Sequence, residues 1–179
     1  MRVIAGSLGG RRLQAPKGRA TRPTSDRVRE ALFSMLGPLD DARVLDLFAG
    51  SGALGIEALS RGASHVVFVD SERAALDALR SNLTALEIAG DVAEVRATDA
   101  RQALREARAR GEAYDLVLLD PPYRLAMELG AELGDGLAGV LAGGARVVGE
   151  SDRRSPLELE LPITHERRYG DTLIRIHEA

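Results

Sequence analysis

The feature that most constrains this chain is an alternation of apolar runs and amphipathic segments that begins at Arg43. Near-continuous apolar runs are typical of strands covered on both faces, and segments rich in Ala, Leu, Glu and Arg favour helix. Their alternation predicts one α/β domain built on a parallel, doubly wound sheet. The predicted strands are 43–49, 65–70, 93–99, 114–120 and 145–151, and the predicted helices are 53–61, 72–87, 100–110 and 125–141.

Both ends of the chain depart from this alternation. Segments 165–170 and 172–178 are strand-like and meet around a glycine, which predicts an antiparallel hairpin closing one sheet edge. At the front, 2–5 and 11–15 predict a small β-hairpin outside the sheet. A helix follows, for which Thr24, Ser25 and Asp26 are the candidate N-caps. We therefore divide the chain into an N-terminal β-hairpin extension, 1–23, and a main domain, 24–179.

Charge is distributed unevenly along the 179 residues, whose net charge is −3. The first 30 residues hold eight basic and two acidic side chains, and the other 149 hold 16 basic and 25 acidic ones. A basic front on an acidic domain is typical of an arm that contacts nucleic acid, with a solvated terminus as the alternative. If the front is such an arm, deleting 1–19 would weaken nucleic-acid binding and leave ligand binding by the main domain nearly intact.

Several function classes are excluded or disfavoured by composition. The chain has no cysteine, which excludes disulfides and thiolate chemistry and favours a reducing cytoplasm. It has no apolar stretch of about 18 residues, so we expect no membrane-spanning helix. His65, His165 and His177 lack the spacing of metal ligands, and we expect no metal site. We expect a monomer.

A glycine-rich segment, DLFAGSGALG from Asp46 to Gly55, lies between the first predicted strand and helix. Glycines at such a turn let the backbone approach a ligand, and the helix start offers N–H groups. Asp70, 20 residues past Gly50, ends the next strand and can accept hydrogen bonds from the ribose of a nucleotide-like cofactor. The segment GSGALG also fits the dinucleotide-binding pattern G-x-G-x-x-G, so NAD stays open as the ligand. A purely structural glycine turn is the other alternative.

A second motif, Asp120-Pro121-Pro122-Tyr123, ends the fourth predicted strand. Ligands of open α/β sheets bind beyond the carboxyl ends of the strands, so this motif should face the same crevice as the glycines. The prolines fix the chain and free a carbonyl from strand pairing. Two oxygen acceptors and an aromatic ring suit a planar group with an exocyclic amine, and a proline-rich turn is the alternative.

Together DLFAGSG, FVD, Asp99 and DPPY resemble the motifs of class I S-adenosylmethionine-dependent amino-methyltransferases. RVIAG and GRRL at the front, TRPTSDRVREALFSML, and the late RRYGDTLI are similar to the RsmD family. Members of that family methylate the exocyclic N2 of one guanine, G966, in 16S rRNA of the small ribosomal subunit. The resemblance implies a Rossmann-like fold with a mostly parallel seven-stranded sheet and an rRNA methyltransferase.

The resemblance also implies residue roles. At the methionine end of the cofactor the binding residues would be Asp46, Phe48, Ala49, Gly50 and Gly52. The ribose would be held by Asp70 and Ser71, the adenine by Asp99 and Ala100, and the cofactor carboxylate would be approached by Arg22, Thr24 and Arg27. The flipped guanine would be received by Asp120, Pro121, Pro122 and Tyr123. RNA phosphates would be contacted by Arg2, Arg11, Arg12, Lys17 and Arg19.

Three other functions fit parts of this pattern. Adenine N6 or cytosine N4 in DNA, or a protein glutamine amide, presents a similar planar amine, although the chain has little room for a separate DNA-recognition domain. An NAD-dependent oxidoreductase would use GSGALG and Asp70 but would leave DPPY unexplained. A non-catalytic RNA-binding module is the third, and the intact acids Asp46, Asp70, Asp99 and Asp120 weigh against it.

Overall fold

The computed structural model describes residues 1–16, 25–122 and 133–179, and its centre is a seven-stranded sheet. The strands are β1 (Arg43–Asp46), β2 (His65–Asp70), β3 (Ala93–Ala97), β4 (Tyr114–Leu119), β5 (Leu141–Asp152), β6 (Ile163–Tyr169) and β7 (Thr172–Glu178). Their order is β3-β2-β1-β4-β5-β7-β6, with β1 to β5 parallel and β7 antiparallel to both of its neighbours. The predicted Rossmann-like fold with an antiparallel C-terminal hairpin is confirmed.

Helices cover both faces of the sheet. They are α1 (Asp26–Leu36), α2 (Ala53–Ser60), α3 (Arg73–Ala85) and α4 (Ala100–Ala109), and residues 133–138 are also helical. Of the three candidate caps of α1, the Ser25 hydroxyl accepts from the Val28 N–H at 3.3 Å. The described helices and strands therefore follow the predicted alternation, with ends that differ by a few residues.

The largest difference lies between the last helix and β5. The predicted helix 125–141 is wrong at its end, because the helical segment stops at 138 and Leu141 already pairs with Tyr114. The register then shifts, so that Leu116 pairs with Arg146. Gly143 and Gly144 lie inside this irregular stretch, where a sequence pattern gives no helix or strand period. The predicted start of this strand, 145, is correspondingly too late.

Alternating side chains of the strands build two cores. On one face, Val44, Phe68 and Leu118 pack with the apolar sides of α1, α2 and α3. On the other face, Leu45 and Val67 pack with α4 and the segment 133–138. Successive residues of a strand point to opposite faces, and helices pack on both of these faces. A ligand can therefore reach the sheet only at its edges, of which the carboxyl edge carries the predicted motifs.

The N-terminal extension is joined to the helices of the first face. Its predicted strands 2–5 and 11–15 pair over a shorter stretch, with an antiparallel bridge between Arg2 and Arg12 and a backbone bond from the Val3 N–H to the Arg11 carbonyl at 2.9 Å. Beyond Val3 the pairing ends, and the N–H groups of Ile4 and Ala5 donate instead to the Glu57 carboxylate of α2, at 2.6 and 3.1 Å. Val3 and Leu13 of the extension, 1% and 6% exposed, belong to the core of this face.

Docking of the extension depends on one glycine. Gly6 has φ of 82°, and a Cβ there would lie 1.7 Å from the carbonyl oxygen of Ser60 in α2. The boundary predicted at residue 23 lies outside the described residues and stays a prediction. In the parts of the chain that the structure describes, no helix is long and apolar enough to cross a membrane.

Candidate active site

The glycine-rich segment forms a tight turn from β1 into α2. Gly52 is the N-cap of α2 with φ of 83°, and its N–H donates to the Ala49 carbonyl at 2.7 Å. A Cβ on Gly52 would lie 2.4 Å from Leu79 Cδ1 of α3, so the turn needs glycine for both conformation and space. The N-cap Gly52 has no side chain to cap α2, and among the first N–H groups of the helix that of Gly55 donates to Asp46.

Asp46 ends β1 and is 1% exposed. Its Oδ2 accepts from the Gly55 N–H at 3.0 Å, while its Oδ1 has no hydrogen-bond partner among the described residues. Burial raises the pKa of Asp46 to about 7, and the nearby Asp70 carboxylate adds to the rise. A buried acceptor with an open oxygen can accept a hydrogen bond from a ligand.

Asp70 ties the glycine loop to β2. Its Oδ2 accepts from the Gly50 N–H and its Oδ1 from the Glu72 N–H, both at 2.8 Å. The Ala49 N–H also donates to the carbonyl of Val69 at 3.0 Å. Asp70 therefore shapes the loop itself, a role beyond the predicted contact with a ribose. Its neighbour Ser71 is exposed.

Asp99 and Ala100 lie one strand further along the same sheet edge. Asp99 is the N-cap of α4, where its Oδ1 accepts from the Gln102 N–H at 3.0 Å. Asp99 is exposed and Ala100 is buried. The sequence-predicted cofactor residues thus follow the carboxyl edge of β1, β2 and β3 in order. Their contacts with a ligand stay predictions.

Asp120 follows β4 directly and lies beside Glu150 of β5, because Leu119 pairs with Gly149 in parallel register. Asp120 is partly buried, Pro121 is buried, and Glu150 is 4% exposed. Burial raises the pKa of Asp120 well above its usual range, and the carboxylates of Glu150 and then Asp46 add to the rise. The described part of the second motif, 120–122, therefore lies at the same sheet edge as Asp46 and the start of the glycine segment.

Sequence analysis missed several buried charged residues, among them Glu150 and Arg29. Glu150 follows the apolar residues of RVVGE, and an acid at the end of such a run indicates a strand end that faces a site. Arg29 is fully buried in α1, and it donates to the Arg2 carbonyl and to Asp26 at 3.0 Å. Burial lowers the pKa of Arg29. The shift is opposed by the Asp26 carboxylate, through its charge and its hydrogen bond, and by the charges of Glu57 and Glu150.

The basic side chains of the extension stay near solvent. Arg11 donates to the Ala85 carbonyl at 2.8 Å, and Arg2 pairs with Asp26 at 3.3 Å. Arg2 also lines a cleft of about 470 Å³ between the extension and α1, which Arg27 lines from the helix side. Arg12 lines an adjoining cleft. Predicted residues that lie outside the described residues are Lys17, Arg19, Arg22, Thr24 and Tyr123.

A mostly parallel sheet in this strand order, with a glycine loop and four acids at its carboxyl edge, defines the class I methyltransferase fold. The Escherichia coli protein yhhF has this fold, with a TM-score of 0.83 and 36% identity over 99% of this chain and 97% of its own. The protein SMU.776, solved with SAH, shares the fold alone, with a TM-score of 0.72 and 13% identity over 86% of this chain and 49% of its own.

The family model described as Conserved hypothetical protein 95 matches residues 1–178, and the chain belongs to this family. YlbH of Bacillus subtilis is 43% identical over 187 residues, which cover 99% of this chain and 98% of YlbH. Ribosomal RNA small subunit methyltransferase D of Escherichia coli is 44% identical over 125 residues, or 69% of this chain and 61% of that protein. The predicted resemblance to the RsmD family is confirmed.

Proposed function

We propose that this chain transfers a methyl group from S-adenosylmethionine to the exocyclic N2 of a guanine in 16S rRNA, at the family site G966. The observation that carries the proposal is the sheet edge shared by a buried Asp46 with an open oxygen, the glycine-capped N-terminus of α2 and Asp120. The name of the Escherichia coli relative supports ribosomal RNA of the small subunit as the substrate class.

The crevice residues fit the proposed cofactor. Its amino-acid end carries an ammonium group, which needs an acceptor, and Asp46 Oδ1 is a buried acceptor without a partner among the described residues. Its carboxylate matches the positive N-terminus of α2, where the N-cap Gly52 has no side chain. Asp70 uses both oxygens on the loop, but each oxygen keeps a lone pair that can accept from a ribose hydroxyl.

Asp120 and Pro121 would position the target amine. The bound cofactor supplies an electrophilic methyl group, while the amine of guanine is a weak nucleophile because its lone pair is delocalised into the ring. The Asp120 carboxylate and the Pro121 carbonyl can accept its two hydrogens and so localise the lone pair on nitrogen. The raised pKa of Asp120 also makes it a stronger base for the proton that the amine loses when it is methylated.

Transfer of label tests the substrate class. The protein is incubated with methyl-labelled S-adenosylmethionine and, in separate reactions, with a 16S rRNA transcript, partly assembled small subunits, double-stranded DNA or ribosomal proteins. We expect incorporation into the RNA or the particle, and loss of incorporation in Asp120→Asn. Label found only in DNA or only in protein would show instead that the substrate is a DNA base amine or a protein amide.

Calorimetry separates the oxidoreductase alternative. We expect S-adenosylmethionine and S-adenosylhomocysteine to bind, and Asp46→Asn to weaken both, because the amide cannot offer a charged acceptor to the ammonium. Binding of NAD with no binding of S-adenosylmethionine would refute the methyltransferase proposal.

A further inference from the structure

Asn82 of α3 joins the N-terminal extension to the glycine loop. Its Oδ1 accepts from the Gln14 N–H at 2.8 Å, and its Nδ2 donates to the carbonyls of Gln14 at 3.0 Å and of Ser51 at 2.9 Å. Gln14 lies in the extension, and Ser51 lies between the two glycines of the cofactor loop. The side chain is 1% exposed, so water cannot replace these bonds easily.

The chemistry of this bridge requires an amide. Gln14 offers one donor and one acceptor, and Ser51 offers a second acceptor, so the bridging group must accept once and donate twice. Asparagine does so in one rotamer, whereas aspartate has no hydrogen to donate and would face two carbonyls. The orientation that satisfies Ser51 is therefore also the orientation that holds Gln14.

Other contacts hold the extension without reaching the loop. Ser60 of α2 accepts from the Leu8 N–H at 2.9 Å and donates to the Ala5 carbonyl, and Glu57 receives two further N–H groups of the extension. These residues lie in the last two turns of α2, away from the glycine turn at its start. Ser60 thus provides a matched control for a contact that fixes the extension only.

We propose that Asn82 is a positioning residue through which cofactor binding and RNA binding favour each other. The inference rests on the proposed function. A cofactor that contacts the glycine loop restricts the Ser51 carbonyl, and the same Asn82 rotamer then restricts Gln14, next to the exposed Arg11 and Arg12. RNA binding to an extension that is already ordered loses less conformational entropy, and the coupling is reciprocal by linkage.

Binding measurements in a thermodynamic cycle test the proposal. The affinity of the full chain for a 16S rRNA transcript is measured with and without S-adenosylhomocysteine, which permits no turnover. We expect the nucleoside to tighten RNA binding about fivefold or more, and RNA to tighten nucleoside binding by the same factor. In Asn82→Ala we expect both factors to approach one, and in Ser60→Ala we expect them to stay near the wild-type value.

Amide hydrogen exchange gives a second readout that a general loss of stability does not produce. The Gln14 N–H is bonded to Asn82, so its exchange should slow when S-adenosylhomocysteine binds to the wild type and to Ser60→Ala, but not to Asn82→Ala. If Asn82→Ala does not fold, Asn82→Ser replaces it, because a single hydroxyl cannot make all three hydrogen bonds.

Each outcome decides the proposal. Equal coupling in the wild type and Asn82→Ala would overturn it, and so would equal loss of coupling in both variants, which would indicate general loosening of the extension. Independent binding of RNA and nucleoside in the wild type would overturn this inference and leave the proposed function standing. If the wild type binds neither S-adenosylhomocysteine nor the transcript, the proposed function and this inference both fail.

Discussion

Replacing Glu150 by glutamine should change the pH dependence of methyl transfer through Asp120. The two residues lie on adjacent strands, since Leu119 pairs with Gly149, and the Glu150 carboxylate raises the pKa of Asp120. Strands are about 4.8 Å apart. At an effective dielectric constant of about 20, two charges 5–7 Å apart repel by about 2–3 kcal/mol.

This repulsion sets the size of the expected shift. It is an upper limit, because Arg29 also interacts with Glu150 and reduces the effect of that carboxylate on Asp120. Removing a like charge lowers the pKa of Asp120, so the acidic limb of the rate profile should move to lower pH in Glu150→Gln.

The assay is single-turnover transfer of labelled methyl groups to small-subunit RNA between pH 5 and pH 9, at saturating cofactor. Glu158→Gln is the matched control, because Glu158 is exposed and pairs with Arg175 at 2.9 Å, outside the crevice. An acidic limb that stays in place in Glu150→Gln, or that moves equally in Glu158→Gln, would refute the assignment of this limb to Asp120.

Four further predictions concern cofactor, loop, RNA and base. Asp46 has a pKa of about 7 in the folded chain, above its unfolded value near 3.9, so its stabilisation is full at low pH and is lost as pH rises from about 4 to 7. In urea titrations the unfolding free energy of Asp46→Asn, relative to that of the wild type, should therefore rise by about 2–3 kcal/mol between pH 5 and pH 8. A difference that does not change with pH would contradict the burial effect. Gly52→Ala should lose about 1–3 kcal/mol of unfolding free energy and much of its affinity for S-adenosylhomocysteine, because its Cβ would lie 2.4 Å from a leucine; wild-type affinity would show that the turn adapts. Neutralising both Arg2 and Arg12 to glutamine should reduce the salt slope of RNA binding by about 1–2, with cofactor affinity unchanged in the absence of RNA, and an unaltered slope would remove both side chains from the RNA interface. Tyr123→Ala should lose most transfer activity and keep cofactor affinity, and unchanged turnover would exclude base stacking by this residue.

Substitution of Arg2 and Arg12 is a cleaner test of RNA binding than deletion of residues 1–19. Deleting 1–19 was expected to leave cofactor binding intact, but the structure buries Val3 and Leu13 in the core and directs two N–H groups of the extension to the buried Glu57. Truncation would open a cavity and leave that carboxylate buried without these donors, at a cost of several kcal/mol. Such a loss would be mistaken for an effect on RNA binding.

The sheet and the crevice could be predicted because their signals are local. Apolar runs define the strands, and Asp46, Asp70, Asp99 and Asp120 each end or follow a strand, so parallel order alone brings them to one edge. Their order across the sheet, Asp99-Asp70-Asp46-Asp120, differs from their order along the chain and follows from the strand order β3-β2-β1-β4.

The contacts of the extension could not be predicted in the same way. The hydrogen bonds of Glu57 and Asn82 to the extension span 53 and 68 residues, and hydrophobic periodicity indicates which face is buried but not which distant backbone group it meets. Glu57 stands inside the apolar stretch ALGIEALS, and an acid at such a position is a signal from which a distant partner could have been expected.

Identification of the methylated nucleoside tests the central claim most directly. After reaction with isotope-labelled S-adenosylmethionine, small-subunit RNA is digested to nucleosides for mass spectrometry, and the modified position is mapped by primer extension, with Asp120→Asn as the inactive control. We predict labelled N2-methylguanosine at G966 alone. Label on any other base or position, or in a protein of the particle, would contradict the claim.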